Sequence, residues 1–398
     1  MNQQVEKLYR IAQQKERRII GLMSGTSLDG LDIALCRIGS SGQETTLFLD
    51  NFTTIPYDTT FRQRIREIFA KRHIDQQLLC ALHAYVGKTH GELINRALEQ
   101  WNIPSSDVDL IASHGQTVYH APQRLTGETI LPNSTLQIGD GDHIAHITGI
   151  ITLSDFRQKH VAAGGEGAPL AAYGDFLLFS SETENRFLLN IGGISNFTFL
   201  PKKESELKAY ATDLGPGNTM MNQFAFEQYG LEMDENAQIA KKGTVDIALL
   251  EALLTAPFLH ADFPKTTGPE LFNLAYLREA QTVSNTSSIA PENVLATLNK
   301  FAAQAIVDGI IRASAELEDV HIYVSGGGIY NPLLMKNIRD VFTSVSVSSF
   351  SSLGLNPDAK EACLFALLAN ETIAGSPSHV QQIKDSPAIC MGKISLPY

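Results

Sequence analysis

The chain predicts an α/β fold built as two similar halves, and three observations carry that expectation. Its 398 residues exceed one ordinary core and suit two domains of roughly 150–200 residues each. Both halves open with an apolar strand that breaks at a glycine turn and resumes as a second strand, first around Gly25 and again around Gly192-Gly193. After each opening, helical faces alternate with short buried-type strands, so the order of elements repeats as βββαβα.

A short polar helix over 4–17 leads into a strand at 18–23 that ends in Ser24-Gly25-Thr26-Ser27. Strands at 31–38 and 45–55 complete a meander, and helices follow at 60–72 and 75–100, the second with Leu78, Leu82, Val86 and Leu93 on one face. Strands at 109–113 and 149–154 close the first half. The second half has strands at 187–191, 197–200 and 209–214, helices near 219–229, 245–254 and 293–317, a strand at 321–324, a helix at 332–341, a strand near 345–348 and a helix at 357–374. Ala163-Gly164-Gly165-Glu166-Gly167-Ala168-Pro169 is rich in turn formers and makes 157–168 the expected boundary and a candidate hinge.

A net charge of -12 repels polyphosphate backbones, which argues against nucleic acid or an anionic membrane as the main partner. Cys36, Cys80, Cys363 and Cys390 have no CxxC or other ligand spacing, so neither a disulfide framework nor a zinc site is expected, and a reducing compartment fits. The N-terminal segment lacks the apolar core of a signal peptide, and no run of about 18 apolar residues suggests a membrane span. A cytoplasmic location is the expectation.

The glycine turns carry the chemistry. Ser24 to Asp32 forms a hairpin whose main-chain N–H groups and hydroxyls suit a phosphate, while Asp29 and Asp32 call for an intervening cation such as Mg²⁺. The same residues also make an ordinary tight hairpin. Asn190 to Asn196 occupies the equivalent turn of the second half, and Asp213-Leu214-Gly215-Pro216-Gly217-Asn218 joins a strand to a helix, either as a ligand loop or as a plain helix start. Ser325-Gly326-Gly327-Gly328 lets a base or ribose approach the main chain, yet it is neither a G-x-G-x-x-G fingerprint nor a P-loop. Asp155 stands at a strand exit where a general base is needed, with a surface cap or a pair with Arg157 as the plainer alternative. His114, Gln116 and Thr117 lie at another strand exit and could bond a polar substrate or serve structure, and Gln137-Ile138-Gly139-Asp140 adds a third polar cluster. Glu361 sits one turn inside the last strong helix, whose N-terminus favours anions.

Taken in order, Gly21 to Asp32, Ser113-His-Gly-Gln-Thr117, Gln137-Ile-Gly-Asp140, Ser154-Asp-Phe-Arg157 and Ala162 to Pro169 resemble the landmarks of the anhydro-N-acetylmuramic acid kinases. So do Asn190 to Asn196, Asp213 to Asn218, Lys265-Thr-Thr-Gly268, Ser325-Gly-Gly-Gly328 and Pro357 to Ala362, and the match runs from about residue 19 to 375. The resemblance implies a two-domain actin-like ATPase fold, ribonuclease H-like in each half, with duplicated βββαβα halves around a cleft. It implies ATP with Mg²⁺, a homodimer, and conversion of 1,6-anhydro-N-acetylmuramic acid and water to N-acetylmuramic acid 6-phosphate in cell-wall recycling.

By motif, Gly25, Thr26, Ser27, Leu28, Asp29, Gly30, Leu31 and Asp32 are expected to hold ATP phosphates, and Gly192, Gly193, Asn196, Gly215, Gly217, Asn218, Gly326, Gly327, Gly328 and Asn331 to contact the nucleotide. His114, Gln116, Thr117, Asp140 and Arg157 are expected at the sugar, Asp155 as catalytic base, and Glu361 as a metal- or phosphate-side acid; no metal ligand set is assigned. Residues 1–160, completed by 376–398, are expected to hold substrate and phosphate, and 161–375 the nucleotide. Residues 1–17 extend beyond the usual family start, and Pro269 follows Thr267-Gly268 where the family leads one to expect Arg. Two rival readings differ in kind: a sugar kinase of the same superfamily acting on a free hydroxyl, and an inactive nucleotide-binding regulatory module.

Overall fold

The computed structural model describes residues 2–398. It divides into two compact units, Met1–Phe179 with Asp358–Tyr398, and Ser180–Pro357.

The first unit is organised by a sheet of β1 (Glu16–Ser24), β2 (Gly30–Gly39), β3 (Thr46–Pro56), β4 (Leu110–Ala121), β5 (Ser134–Ile138), β6 (Ile151–Ser154) and, from the far end of the chain, a short terminal strand at Lys393–Ser395. β1, β2 and β3 pair antiparallel, β4 lies parallel to β1 and β6 parallel to β4, and β5 pairs antiparallel with the later half of β4. β1 is central and buried on both faces, which explains its near-continuous apolar run. Its alternation sorts the two faces. Ile20 and Leu22 join a core with Leu82, Val86 and Ile94 of the Gln76–Trp101 helix. Gly21 points to the other face, where an added Cβ would lie 1.9 Å from the Ala362 carbonyl oxygen of the Lys360–Ala374 helix.

In the second unit β7 (Asn185–Ile191), β8 (Ile194–Leu200), β9 (Tyr210–Pro216), β10 (Val320–Ser325) and β11 (Ser346–Ser349) form one sheet in the order β11-β10-β7-β8-β9. β7, β8 and β9 pair antiparallel, and β10 and β11 run parallel to β7. This repeats the order β6-β4-β1-β2-β3 of the first unit, with β12 (Lys393–Ser395) added beyond β6. The expected duplicated actin-like α/β halves are therefore present. The Pro291–Ser314 helix is long and apolar enough to cross a membrane, but 78% of its apolar window is buried, and its Phe301 and Ile306 share the core of this unit with Phe187 and Leu189.

Some boundaries differ from the expectation. The chain leaves the first unit at Phe179, not near 160, because the Phe156–Ala162 and Ala171–Phe179 helices both belong there. It returns at Asp358, not 376, because the last strong helix packs on β1 where Gly21 leaves room. The turn-rich segment expected to be a hinge is instead pinned by polar bonds: Gly167 donates its N–H to His160 Nδ1 at 2.9 Å and its carbonyl accepts from Arg157 Nη1 at 2.7 Å. The N-terminal helix ends at Gln13, not Arg17. Arg17 is buried and donates to the carbonyls of Ile11, Ala12 and Gln14 and to Asn370, satisfying the helix's last acceptors.

Gly21→Ala is expected to destabilise the first unit by about 3 kcal/mol, because a methyl group cannot enter a backbone contact without pushing the helix off the strand. Urea unfolding followed by circular dichroism checks this, and an unchanged midpoint would refute the packing argument.

Candidate functional site

In the first unit the hairpin between β1 and β2 presents Thr26, Ser27 and Asp29 to solvent while Leu28 turns inward to the core, 2% exposed. Leu28 holds φ 61, a left-handed conformation that is unfavourable for a branched side chain. Gly25 faces open space, its nearest neighbour for an added Cβ being Ser27 Oγ at 3.6 Å, whereas a Cβ on Gly30 would lie 2.6 Å from the Ile55 carbonyl oxygen. Gly30 is thus required by the hairpin, and Gly25 leaves space that the fold does not use. Leu31 is fully buried, and Asp32 accepts from Thr54 Oγ1. Burial pushes the Asp32 carboxyl up, the Thr54 bond opposes this, and Asp358 adds to the upward shift. Glu361 reaches solvent, but dense surrounding protein raises its carboxyl too, with Arg157 and Lys360 opposing and Asp32 adding to the rise. Asp32, Glu361 and Arg157 are therefore electrostatic neighbours although far apart in sequence.

Asp155 follows β6 at φ 56 and ψ 37, the N-cap of the Phe156–Ala162 helix, yet its carboxylate makes no capping bond. Oδ2 instead accepts from Lys393 Nζ at 2.7 Å, and 29% of the side chain is exposed. Lys393 was not among the expected residues. It arrives on β12 paired with Ser154, 238 positions from Asp155, and no local motif marks it.

The five residues expected at a sugar separate into different surroundings. His114 is buried, and its Nε2 accepts from Arg157 Nε at 2.9 Å, which makes Nδ1 the protonated nitrogen. Burial, then the Arg157 charge, holds its pKa well below the ordinary histidine value. Gln116 is fully buried, and its amide is spent on Ser24, the Gly25 carbonyl and the Thr117 carbonyl, so it holds the hairpin instead of facing a ligand. Thr117 is half-buried and accepts from Gln137 Nε2 at 3.2 Å. Asp140 caps the Gly141–Thr148 helix through a bond from the Asp142 N–H, with His83 and His143 at 3.9 and 3.7 Å from its other oxygen.

In the second unit Gly217 and Asn218 donate backbone N–H bonds to the Gly193 and Gly192 carbonyls, each at 2.8 Å, so these two expected loops form one layer. A Cβ on Gly217 would meet the Gly192 oxygen at 2.3 Å. Gly326 (φ 84) and Gly328 are needed for close packing against Ile191, and Gly215 sits against Leu259 and Ala305. Asn196 lies within β8 opposite Asn190. A cavity of about 440 Å³ opens where Asn218, Gly327 and Asn331 meet, with Met221, Glu235 and Leu295 among its other walls. Asn331 also caps the Pro332–Arg339 helix and accepts from Asn299 at 3.0 Å, which fixes its side chain. Glu235 and its neighbours were not foreseen, because they lie on short irregular turns with no periodic signal. Asp213 accepts from the Thr267 N–H at 2.8 Å and so secures the Lys265-Thr-Thr-Gly268 segment, and the Pro269 carbonyl accepts from Asn273. Among the described residues no group of three or more His, Cys, Asp or Glu side chains is arranged to hold a metal ion.

A family model described as anhydro-N-acetylmuramic acid kinase matches residues 17–394. Relatives of that name include one from Pseudoalteromonas atlantica, 51% identical over 400 residues with 100% of both chains covered, an alignment that takes in residues 1–17. One from Pseudoalteromonas translucida is 47% identical over 99% of each chain, and one from Bacillus cereus is 37% identical over 95% of this chain and 99% of its own.

The buried histidines make stability depend on pH. His160 is pushed down to about 4, chiefly by burial and then by Arg157, and burial pushes His90 down to about 3. Both folded values lie below the unfolded value of about 6.5, so the unfolded chain takes up more protons as pH falls. Their contribution is whole above about pH 6.5 and is lost as pH falls, towards about 4 for His160 and about 3 for His90. Urea midpoints measured from pH 7 to 4 should decline across that window, and His160→Asn, which keeps an acceptor for the Gly167 N–H, should flatten the slope. A pH-independent midpoint would contradict the assignment.

Proposed function

The chain belongs to the anhydro-N-acetylmuramic acid kinase family, and on that premise we propose how its residues divide the work. The family's reaction is ATP-dependent: it opens 1,6-anhydro-N-acetylmuramic acid with water and phosphorylates O6, giving N-acetylmuramic acid 6-phosphate in peptidoglycan recycling. The observation that most supports a nucleotide role in this chain is the cavity at Asn218, Gly327 and Asn331, a concave site at the ends of a strand and a helix where a base and ribose can lie against glycine main chain.

O6 of the substrate is tied to C1 in the bridge and carries no proton to lose. In our reading Asp155 takes a proton from water, whose oxygen attacks C1; the C1–O6 bond breaks, O6 bonds to the γ-phosphorus, and ADP leaves with the electrons of the broken P–O bond. Lys393 holds one carboxylate oxygen of Asp155 and leaves the other for water. The left-handed backbone at Asp155 turns the side chain away from the capping position it would otherwise occupy, consistent with strain kept for a functional placement.

The open space at Gly25 supports a phosphate contact there, with Thr26 and Ser27 as hydroxyl donors. Asp32 and Glu361 suit Mg²⁺ arriving with the nucleotide, because the Asp32 charge adds to the rise of the Glu361 carboxyl in the absence of a cation, and one or two carboxylates with waters and phosphate suffice for that ion. Bound there, Mg²⁺ would offset charge on the transferring phosphoryl group. A homodimer and a cytoplasmic location complete the reading, the latter consistent with four cysteines that are all free.

Asp155→Asn is expected to leave folding and ATP binding near normal while lowering turnover by about 10²–10⁴-fold, measured as ATP consumption with the anhydro sugar. Near-normal turnover would remove Asp155 from the mechanism. Gly25→Val should keep stability within about 0.5 kcal/mol, since its side chain enters open space, yet raise KM for ATP by about tenfold or more, a cost of about 1.4 kcal/mol in binding. Unchanged ATP kinetics would defeat the phosphate-loop assignment.

A further inference from the structure

Four buried side chains of the first unit form a continuous hydrogen-bonded line. His90 Nε2 lies 2.9 Å from the Tyr57 hydroxyl, which lies 2.7 Å from Ser24 Oγ, which lies 2.5 Å from Gln116 Oε1. Gln116 Nε2 lies 3.3 Å from the Gly25 carbonyl oxygen and 3.2 Å from that of Thr117. The line starts inside the Gln76–Trp101 helix and ends on the hairpin that follows β1.

The direction of every proton in it follows from elementary inventory. Two carbonyls face the Gln116 nitrogen, so its oxygen is the end that faces Ser24 and can only accept. Ser24 therefore spends its one proton on Gln116 and accepts from Tyr57. Tyr57 has then spent its own proton and accepts from His90 Nε2–H. His90 Nδ1 is left unprotonated, and it is the atom of this line that is buried without a partner. An imidazole kept neutral by burial has one such nitrogen, so the assignment is self-consistent.

Tyr57 also grips the other end of the same hairpin: its backbone N–H donates to the Asp29 carbonyl at 3.1 Å. Between those two anchors lie Gly25 to Leu28, closed by the Leu28 N–H on the Gly25 carbonyl at 3.3 Å and carrying the left-handed Leu28. A turn that holds a branched residue in that conformation relaxes unless its ends are fixed.

We propose that His90, Tyr57, Ser24 and Gln116 act as one positioning unit that orients the Gly25 carbonyl, and with it the backbone N–H groups of Gly25 to Leu28, for phosphoryl transfer. The proposal rests on the reading of this hairpin as the phosphate loop. Tyr57 and His90 touch no substrate in it; they act through Ser24 and Gln116. It also gives Gln116 its role, which is orientation of the hairpin and not contact with the sugar.

The test is steady-state kinetics of Tyr57→Phe, which removes one oxygen and keeps the ring stacked on Phe61 at 4.1 Å. Expected is a fall of about 10–100-fold in kcat/KM for ATP, the scale on which slight misplacement of a reacting group is felt, with KM for the anhydro sugar within about twofold of the parent. Ser24→Ala, which breaks the line one bond nearer the hairpin, should show the same split, and it carries the test if Tyr57→Phe does not fold. Ile94→Val, a core change on the same helix outside the line, controls for lost stability and should leave ATP kinetics at parent values. If Tyr57→Phe and Ser24→Ala keep ATP kinetics within about twofold while Gly25→Val impairs them, the loop reading stands and the positioning unit is overturned. If Gly25→Val is also without effect, the loop reading itself falls and the proposal with it. Equal losses for ATP and sugar would mean general damage and would likewise overturn it.

Discussion

The absence of a side chain at Gly21 is the constraint on which the first unit depends. A central strand covered on both faces can admit a helix backbone this closely only where one residue offers nothing but its α-carbon. The Ala362 carbonyl occupies that place, and the segment after residue 357 is thereby drawn back onto the sheet begun at residue 16. Glu361 in the helix's first turn comes within electrostatic reach of Asp32 and Arg157, and β12 follows onto the free side of β6, delivering Lys393 to Asp155. Glu361 and Lys393 owe their places near Asp32, Arg157 and Asp155 to one missing methyl group.

A second layer of organisation is polar and buried. Arg17, His114, Gln116, His160 and Glu371 lie almost wholly inside the first unit; His114 is bonded by the Arg157 guanidinium, and the others find partners in backbone groups and neutral side chains. Such networks are costly if incomplete and specific if complete. Here they sit at the junctions between elements: Arg17 between the first helix and the last, His160 at the turn before Pro169, Glu371 at the Gly42 turn. Fixed turns are what allow a strained residue such as Asp155 or Leu28 to persist.

How far the sequence was legible follows the same physics. The strand–glycine–strand openings, the order of elements and the three Gly-rich loops of the second unit were readable, because each depends on local periodicity and on turn chemistry within a few residues. The Phe156–Ala162, Ala171–Phe179 and Leu274–Val283 helices were not, being short or, for Ala171–Phe179, apolar all round with no amphipathic stripe to mark it. The unit boundary was misplaced because Gly and Pro around 163–169 read as a hinge, while the bonds from His160 and Arg157 that close it are tertiary. Gln116 looked like a ligand contact because a glutamine at a strand end advertises hydrogen bonding without saying to what. Lys393 and Tyr57 carry no motif at all; their relevance exists only in the assembled sheet.

The second unit interrupts the first in the chain, entering after Phe179 and leaving before Asp358. On a ribosome this ordering sets a schedule. With synthesis at about 5–20 residues per second, Ser180–Pro357 emerges whole and can fold while the first unit still lacks the helix that covers β1 and the strand that borders β6. The apolar face around Ile19 and Gly21 therefore stays uncovered for about 10–40 seconds, and it is during translation, not in the finished protein, that this chain has most need of a chaperone.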